Sequence, residues 1–276
     1  MLGSVLPFNE ETADRVSEYC EKRSTVIPDV LQKHWEYTRT HFSDADKMSS
    51  RLQGAWMIFT AKDRKPKRGT YISNLGEFIL LCSGVTRAFR LYPSPKLMEI
   101  TNMHTVLEIG AYSGYSALAW YEGTKDTKAE IVTLELSPKM IAASRKTFKD
   151  YGVEDRVKLI EGPADQTLKT LKGDFDIIFV DANKDGYATY VQTILDQKLL
   201  SQNGIILCDN VFARGLTIGA DAAPWLNDHV RPYWLGCGQA LDEFNTRLVE
   251  DPRVDVLIMP VFDGVTQIKW RSDAQI

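Results

Sequence analysis

Apolar positions along the chain recur with two different periods, and the period changes near residue 100. Segments 10–23, 26–42, 44–62 and 75–91 carry apolar residues at helical spacing. Val30, Leu31, His34, Trp35 and Thr38, with charged residues between them, are one such stripe. The spacing predicts helices and no strands over residues 1–100. Pro28 suits the first turn of its helix, where a missing N–H costs nothing. The run Lys62 to Gly69, KDRKPKRG, reads as a basic loop, and Arg90 to Pro95, RLYPSP, closes the last of these helices.

From residue 104 short apolar runs alternate with helical stretches. The runs are 104–110, 130–136, 156–162, 175–181 and 204–210; the helices are 114–122, 138–151, 163–172 and 185–199. Near-continuous apolar strands separated by helices predict a parallel sheet covered on both faces. A helix at 239–250 precedes two more strands, 254–260 and 264–270. Too few residues separate these two for a parallel crossover, so they must form an antiparallel hairpin. The expected fold class is α/β: a Rossmann-like, doubly wound and mostly parallel sheet that ends in an antiparallel hairpin, after an N-terminal helical region.

Composition narrows the classes of function. The chain has 276 residues, is 44% hydrophobic and 25% charged, and carries a formal net charge of −4. That composition excludes disordered and low-complexity classes, and the acidic balance offers no broad basic field for nucleic acid or anionic membrane. No apolar run is long enough to span a bilayer. Neither end reads as a targeting or lipidation signal, so a soluble cytoplasmic protein is expected. Cys20, Cys82, Cys208 and Cys237 are scattered without a CxxC pair, which argues against zinc and a disulfide framework. His34, His41, His104 and His229 form no spaced pair and read as surface or satisfied core residues.

The candidate chemistry lies at the carboxyl ends of the strands, where open α/β sheets bind ligands. The first strand runs through Glu108 into a glycine turn, Gly110-Ala111-Tyr112-Ser113-Gly114, and then into a helix. Glycines let backbone approach a ligand, and the helix start offers free N–H groups. The G-x-x-x-G spacing is not that of dinucleotide folds. Glu108 would repel a pyrophosphate and welcome a cationic, amino-acid-like ligand. Glu135, ending the second strand, can accept both hydroxyls of a ribose. The same pattern also serves a plain turn between strand and helix with two solvent-facing acids. Strands four and five end in Asp181-Ala182-Asn183-Lys184 and Asp209-Asn210. Asp181, Asp209 and Asn210 make a hard-oxygen set suited to Mg²⁺, although Asp-Asn after a strand is also ordinary turn chemistry. Lys184, beside such a cation, can act as a base.

Four motifs in order, Glu108-Ile-Gly-x-x-x-Gly-Tyr-Ser, Glu161-Gly-Pro-Ala164, Phe179-Val-Asp-Ala-Asn-Lys184 and Asp209-Asn210, resemble the cation-dependent class I O-methyltransferases. Caffeoyl-CoA and catechol O-methyltransferases typify that family. The C-terminal stretch from Asp251 through Met259-Pro260 to Gly264 is similar to its terminal hairpin. The resemblance covers about residues 70–270. It implies S-adenosylmethionine as cofactor, with Glu108, Gly110 and Tyr112 along the methionine part, Ser116 at the carboxylate, Glu135 on the ribose and Ala164 at the adenine. Asp181 counts in the cofactor site as well as in the metal set. Asp181, Asp209 and Asn210 would hold Mg²⁺, Mn²⁺ or Ca²⁺, and Lys184 would be the catalytic base.

The resemblance further implies a phenolic small-molecule acceptor and a homodimer, with no nucleic acid or membrane as partner. Residues 1–100 would shape the acceptor pocket or dimer contacts, and residues 101–276 would form the cofactor-binding domain. Three departures stand out: Glu135 where the family usually has Asp, Asn183 where it usually has Asp, and Val211-Phe212-Ala213-Arg214 where plant members carry a Trp. Two other readings remain: a metal-independent enzyme of this fold on another acceptor, and a non-catalytic scaffold of methyltransferase shape.

Overall fold

The computed structural model describes residues 10–66 and 106–273. The helix expected at 75–91, the end of the basic loop, Cys82 and His104 lie outside the described residues. Two N-terminal helices stand where the periodicity placed them, α1 Glu10–Arg23 and α2 Asp29–His41, while α3, Arg51–Arg64, starts seven residues later than the expected 44–62. Pro28 occupies the cap position of α2, one residue ahead of the first turn. Ser50 caps α3, its hydroxyl accepting from the Gln53 N–H at 3.1 Å. A short 3-10 turn, Ala45–Lys47, joins α2 to α3.

Seven strands follow: β1 Val106–Ile109, β2 Ile131–Glu135, β3 Val157–Glu161, β4 Phe175–Val180, β5 Leu200–Asp209, β6 Val254–Met259 and β7 Val265–Trp270. They form one sheet in the order β3-β2-β1-β4-β5-β7-β6. All pairs from β3 to β5 are parallel, while β7 runs antiparallel between β5 and β6. The intervening helices are α4 Tyr115–Gly123, α5 Pro138–Asp150, α6 Ala164–Thr167, α7 Tyr187–Asp196 and α8 Arg231–Val249. The chain leaves β1 toward β2 on one side and meets β4 on the other. The switch point therefore lies between the carboxyl ends of β1 and β4.

Alternation along the strands sorts the core onto two faces. Leu107, Ile109, Ile178, Val180, Ile206 and Cys208 face α7 and α8. Val106, Ile131, Ile177, Phe179, Ile205 and Leu207 share the opposite face with Leu118 and Trp120 of α4 and with Leu31 and Met57 of the N-terminal helices. Leu31 and Met57 are fully buried, and each such side chain contributes about 1.5–3 kcal/mol. This packing fixes α2 and α3 against the sheet that carries the strand-end loops.

Three further elements differ from expectation. The helix expected at 163–172 is a single turn, α6, followed by a 3-10 turn over Leu168–Thr170. β5 starts earlier, at Leu200, and a register shift opposite Phe175/Ile177 absorbs the polar residues after it. α8 begins eight residues sooner than expected, because Gly236 and Gly238 interrupt the apolar stripe without breaking the helix. Gly238 is needed there: a Cβ would press on the Leu216 carbonyl. No described helix is long and apolar enough to cross a membrane.

Candidate active site

The loop after β1 is bent tightly. Gly110 has φ of 103°, and a Cβ on it would overlap the carbonyl oxygen of Asp181. Only glycine lets the β1 and β4 ends come this close. Backbone bonds tie the junction: Gly110 N–H to Leu134 O at 2.9 Å and Asp181 N–H to Ile109 O at 3.0 Å. Tyr112 also has positive φ, at 48°. Glu135 holds the loop in this shape. Its Oε2 accepts from the N–H groups of Ala111 (3.1 Å) and Tyr112 (2.9 Å), and its Oε1 from those of Leu136 (3.0 Å) and Ser137 (2.8 Å). The β3 loop that carries Ala164 adjoins it, since Gly162 N–H donates to the Glu135 carbonyl at 2.9 Å. Ala164 opens α6 and is half-buried. The Tyr112 hydroxyl reaches into the N-terminal region, lying 3.0 Å from both the carbonyl oxygen and the Oδ1 of Asp44.

Glu108 is not a solvent-facing acid. It is fully buried on β1, opposite Thr133 of β2, whose hydroxyl donates to its Oε2 at 2.6 Å. Its Oε1 is buried with no hydrogen-bond partner among the described residues. Ser116, in the first turn of α4, is buried beside it.

At the ends of β4 and β5 two of the three expected side-chain oxygens, those of Asp181 and Asn210, meet at Lys184. The Lys184 ammonium donates to Asp181 Oδ1 at 3.0 Å, Asn210 Oδ1 at 3.1 Å and the Tyr187 hydroxyl at 2.7 Å. The Tyr187 hydroxyl lies 2.8 Å from the Asp209 carbonyl. Asp209 is almost fully buried: its Oδ1 accepts from the Asn210 N–H at 2.8 Å and its Oδ2 from Gln53 Nε2 at 2.5 Å. Asn210 takes positive φ, 57°, a conformation asparagine tolerates better than most residues. Asn183 points away from this cluster. It accepts from the Tyr190 hydroxyl at 2.6 Å and donates to Asp185 at 2.5 Å, the second of which an aspartate could not do.

Residues 95–271 match the model of a family described as O-methyltransferase. The chain belongs to the O-methyltransferase family. An O-methyltransferase, ankF, of Aspergillus thermomutatus is 36% identical over 277 residues, covering 99% of each chain. A caffeoyl-CoA O-methyltransferase of Medicago sativa is 32% identical over 176 residues, 62% of this chain and 68% of its own. Among solved structures, the SAH-bound Podospora anserina methyltransferase PaMTH1 is 70% identical with a TM-score of 0.84, over 98% of this chain and all of that one. The protein is a class I, S-adenosylmethionine-dependent O-methyltransferase, as the motif order implied.

Electrostatics in this O-methyltransferase are set by burial. Loss of water pushes the Glu108 carboxyl up to about 7, with the Ser116 and Thr133 hydroxyls opposing and the charges of Asp181 and Glu135 adding to the rise. Asp209 is also raised, first by burial and then by Asp181, against the pull of Lys184 and Gln53. A buried carboxyl oxygen with no partner, beside a helix start and a glycine turn, fits a ligand that brings a positive charge. Two hard side-chain oxygens around one cationic group, Asp181 Oδ1 and Asn210 Oδ1, with the charged Asp209 close enough to Asp181 for each to feel the other, fit a hard divalent cation by donor chemistry. In the structure the cationic group is Lys184 itself. Among the described residues no point gathers three or more His, Cys, Asp or Glu side chains.

Sequence reasoning missed Gln53. It lies on the buried stripe of α3 with Met57 and Ala61, at spacings of four. A lone amide on an otherwise apolar stripe was the available signal. His34 is the satisfied core histidine that was one of the expected readings: it is buried on α2 and within 3.3 Å of the Ser113 hydroxyl in the glycine loop, where burial lowers its pKa to about 4.

Proposed function

We propose that this enzyme methylates a hydroxyl of a phenolic small molecule bearing two adjacent oxygens. The site would include Mg²⁺, Mn²⁺ or Ca²⁺ held by Asp181, Asp209 and Asn210. One observation carries the reading: Asp181 Oδ1 and Asn210 Oδ1 turn onto a single positive charge beside the buried Asp209, next to the glycine loop. The named caffeoyl-CoA relatives support a phenolic acceptor class. Val211 and Ala213 are buried and Phe212 packs under Gly264, so the stretch after Asn210 offers no residue like the plant tryptophan.

S-adenosylmethionine supplies the electrophilic methyl, and a divalent cation would lower the pKa of the acceptor hydroxyl and orient it. The chain's own groups do the rest. Glu108, Gly110, Tyr112 and Ser116 receive the methionine end, and Glu135 with Ala164 the nucleoside end. Glu135 already spends its oxygens on four backbone N–H groups, so contact with the ribose would require one of these bonds to the loop to be exchanged for a ribose hydroxyl. Lys184 balances the charge of the cluster as an ammonium, and it is in its neutral amine form that its Nζ would receive the acceptor's proton. Much of the rate comes from positioning. The N-terminal helices α1 to α3 would shape the acceptor side or a dimer contact, and the active form would be a homodimer.

A screen of catechols and polyphenols with methyl-labelled S-adenosylmethionine, with and without chelator, tests this. Turnover of catechols that stops with chelator and returns with Mg²⁺ or Mn²⁺ is expected. A second reading has its own support: the Lys184 ammonium already satisfies Asp181 and Asn210, so the enzyme works without metal. Turnover that survives chelator selects that reading.

A further inference from the structure

We propose that Gln53 is a positioning residue of the divalent-cation site, fixing the carboxylate of Asp209 from the N-terminal helical region. This rests on the metal reading given above. Each Asp209 oxygen has two lone-pair directions, and each spends one on the protein: Oδ1 on the Asn210 N–H, Oδ2 on Gln53 Nε2. Two donors at opposite oxygens set the plane of the carboxylate and leave one direction on each oxygen for a cation. The Asn210 N–H belongs to the neighbouring peptide and cannot set that plane alone. Gln53 is the donor that comes from outside the sheet.

Its reach is fixed. The Ser50 hydroxyl holds its N–H, Met57 and Ala61 on the same stripe are buried, and a Cβ on Gly54 would collide with the Tyr115 ring. The helix cannot slide to relax the contact. Groups that hydrogen-bond metal ligands typically change metal affinity about 10–100-fold when removed. The same contact makes metal affinity depend on how α3 sits against the sheet.

The rival account is a structural tie between α3 and β5 with no bearing on the metal. Mn²⁺ binding to the full chain, read by the EPR signal of free Mn²⁺, separates the two. Gln53→Met keeps the length and removes the donor. It is expected to weaken Mn²⁺ binding about 10–100-fold. Its affinity for S-adenosylhomocysteine, measured in chelator, stays at the wild-type value. Wild-type binding of Mn²⁺ with unchanged affinity in Gln53→Met overturns the inference and leaves the metal reading standing. No Mn²⁺ binding by the wild type overturns the metal reading and the inference with it. If Gln53→Met does not fold, Gln53→Glu carries the test. It places a third carboxylate beside Asp209 and Asp181, so its melting temperature falls in chelator and Mn²⁺ restores it by more than it raises the wild type. An equal Mn²⁺ shift in both proteins overturns the proposal.

Discussion

Glu108 makes the stability of the cofactor-free enzyme depend on pH, and Glu108→Gln isolates the effect. Burial holds the folded carboxyl near 7, against an ordinary value of 4.5. Between those values the unfolded chain has released its proton while the folded chain still holds it. Stability from this group is therefore fully present below about pH 4.5 and is lost as pH rises through about 7. A difference of about 2.5 units, at about 1.4 kcal/mol each, gives a total loss of roughly 3 kcal/mol. The group is fully buried, so solvent screening takes little from that figure. Between about pH 5 and about pH 8 the loss is roughly 2–3 kcal/mol.

The glutamine has the same shape and does not titrate. Its oxygen can keep the Thr133 bond, and its amide can face Ser116. Any fixed cost of the substitution is common to both pH values and cancels. Urea unfolding of wild type and variant without cofactor, at the two pH values, gives the double difference. The variant is expected to gain roughly 2–3 kcal/mol on the wild type at the higher pH. A double difference near zero would refute the claim that burial in a dry site governs this carboxyl. Saturating S-adenosylmethionine, whose positive charge the site is read to accept, is expected to shrink the difference.

Glu135→Ala strips the acceptor from four backbone N–H groups. Because the site is half-exposed and water takes their place, a stability loss of about 2 kcal/mol is expected, with roughly ten-fold weaker binding of S-adenosylhomocysteine. Calorimetry reads both, and unchanged values for both would remove Glu135 from loop and site alike. Gly110→Ala is expected to cost at least about 1–3 kcal/mol from its backbone conformation alone, and more from the overlap with Asp181; a denaturation midpoint equal to wild type would contradict that. Lys184→Ala is expected to lower kcat about 10²–10⁴-fold while cofactor affinity holds, and Lys184→Arg is expected not to rescue it. Near-normal kcat in either variant would move the proton-accepting role elsewhere.

The sequence by itself determined the order of elements and the family. Period-two and period-3.6 patterns are local, so β1 to β5 and α1 to α3 could be placed from side chains a few positions apart. The hairpin of β6 and β7 followed from the length of their connection alone, since so few residues cannot cross a sheet. The strand-end motifs identified the family because their chemistry is written in short contiguous runs. Tertiary structure decided what those residues touch. Which face of β1 Glu108 occupies, and so whether its carboxyl meets water or a dry core, depends on α4 and on the N-terminal helices packing over it. Glu135 turned its oxygens onto backbone N–H groups that only the folded loop brings within reach. Lys184 met Asp181 and Asn210 because β4 and β5 are neighbours in the sheet. Gln53 reached Asp209 across 156 positions of sequence, a contact no local pattern encodes. Burial and long-range contact are properties of the packed chain, and the site's charges are set by them.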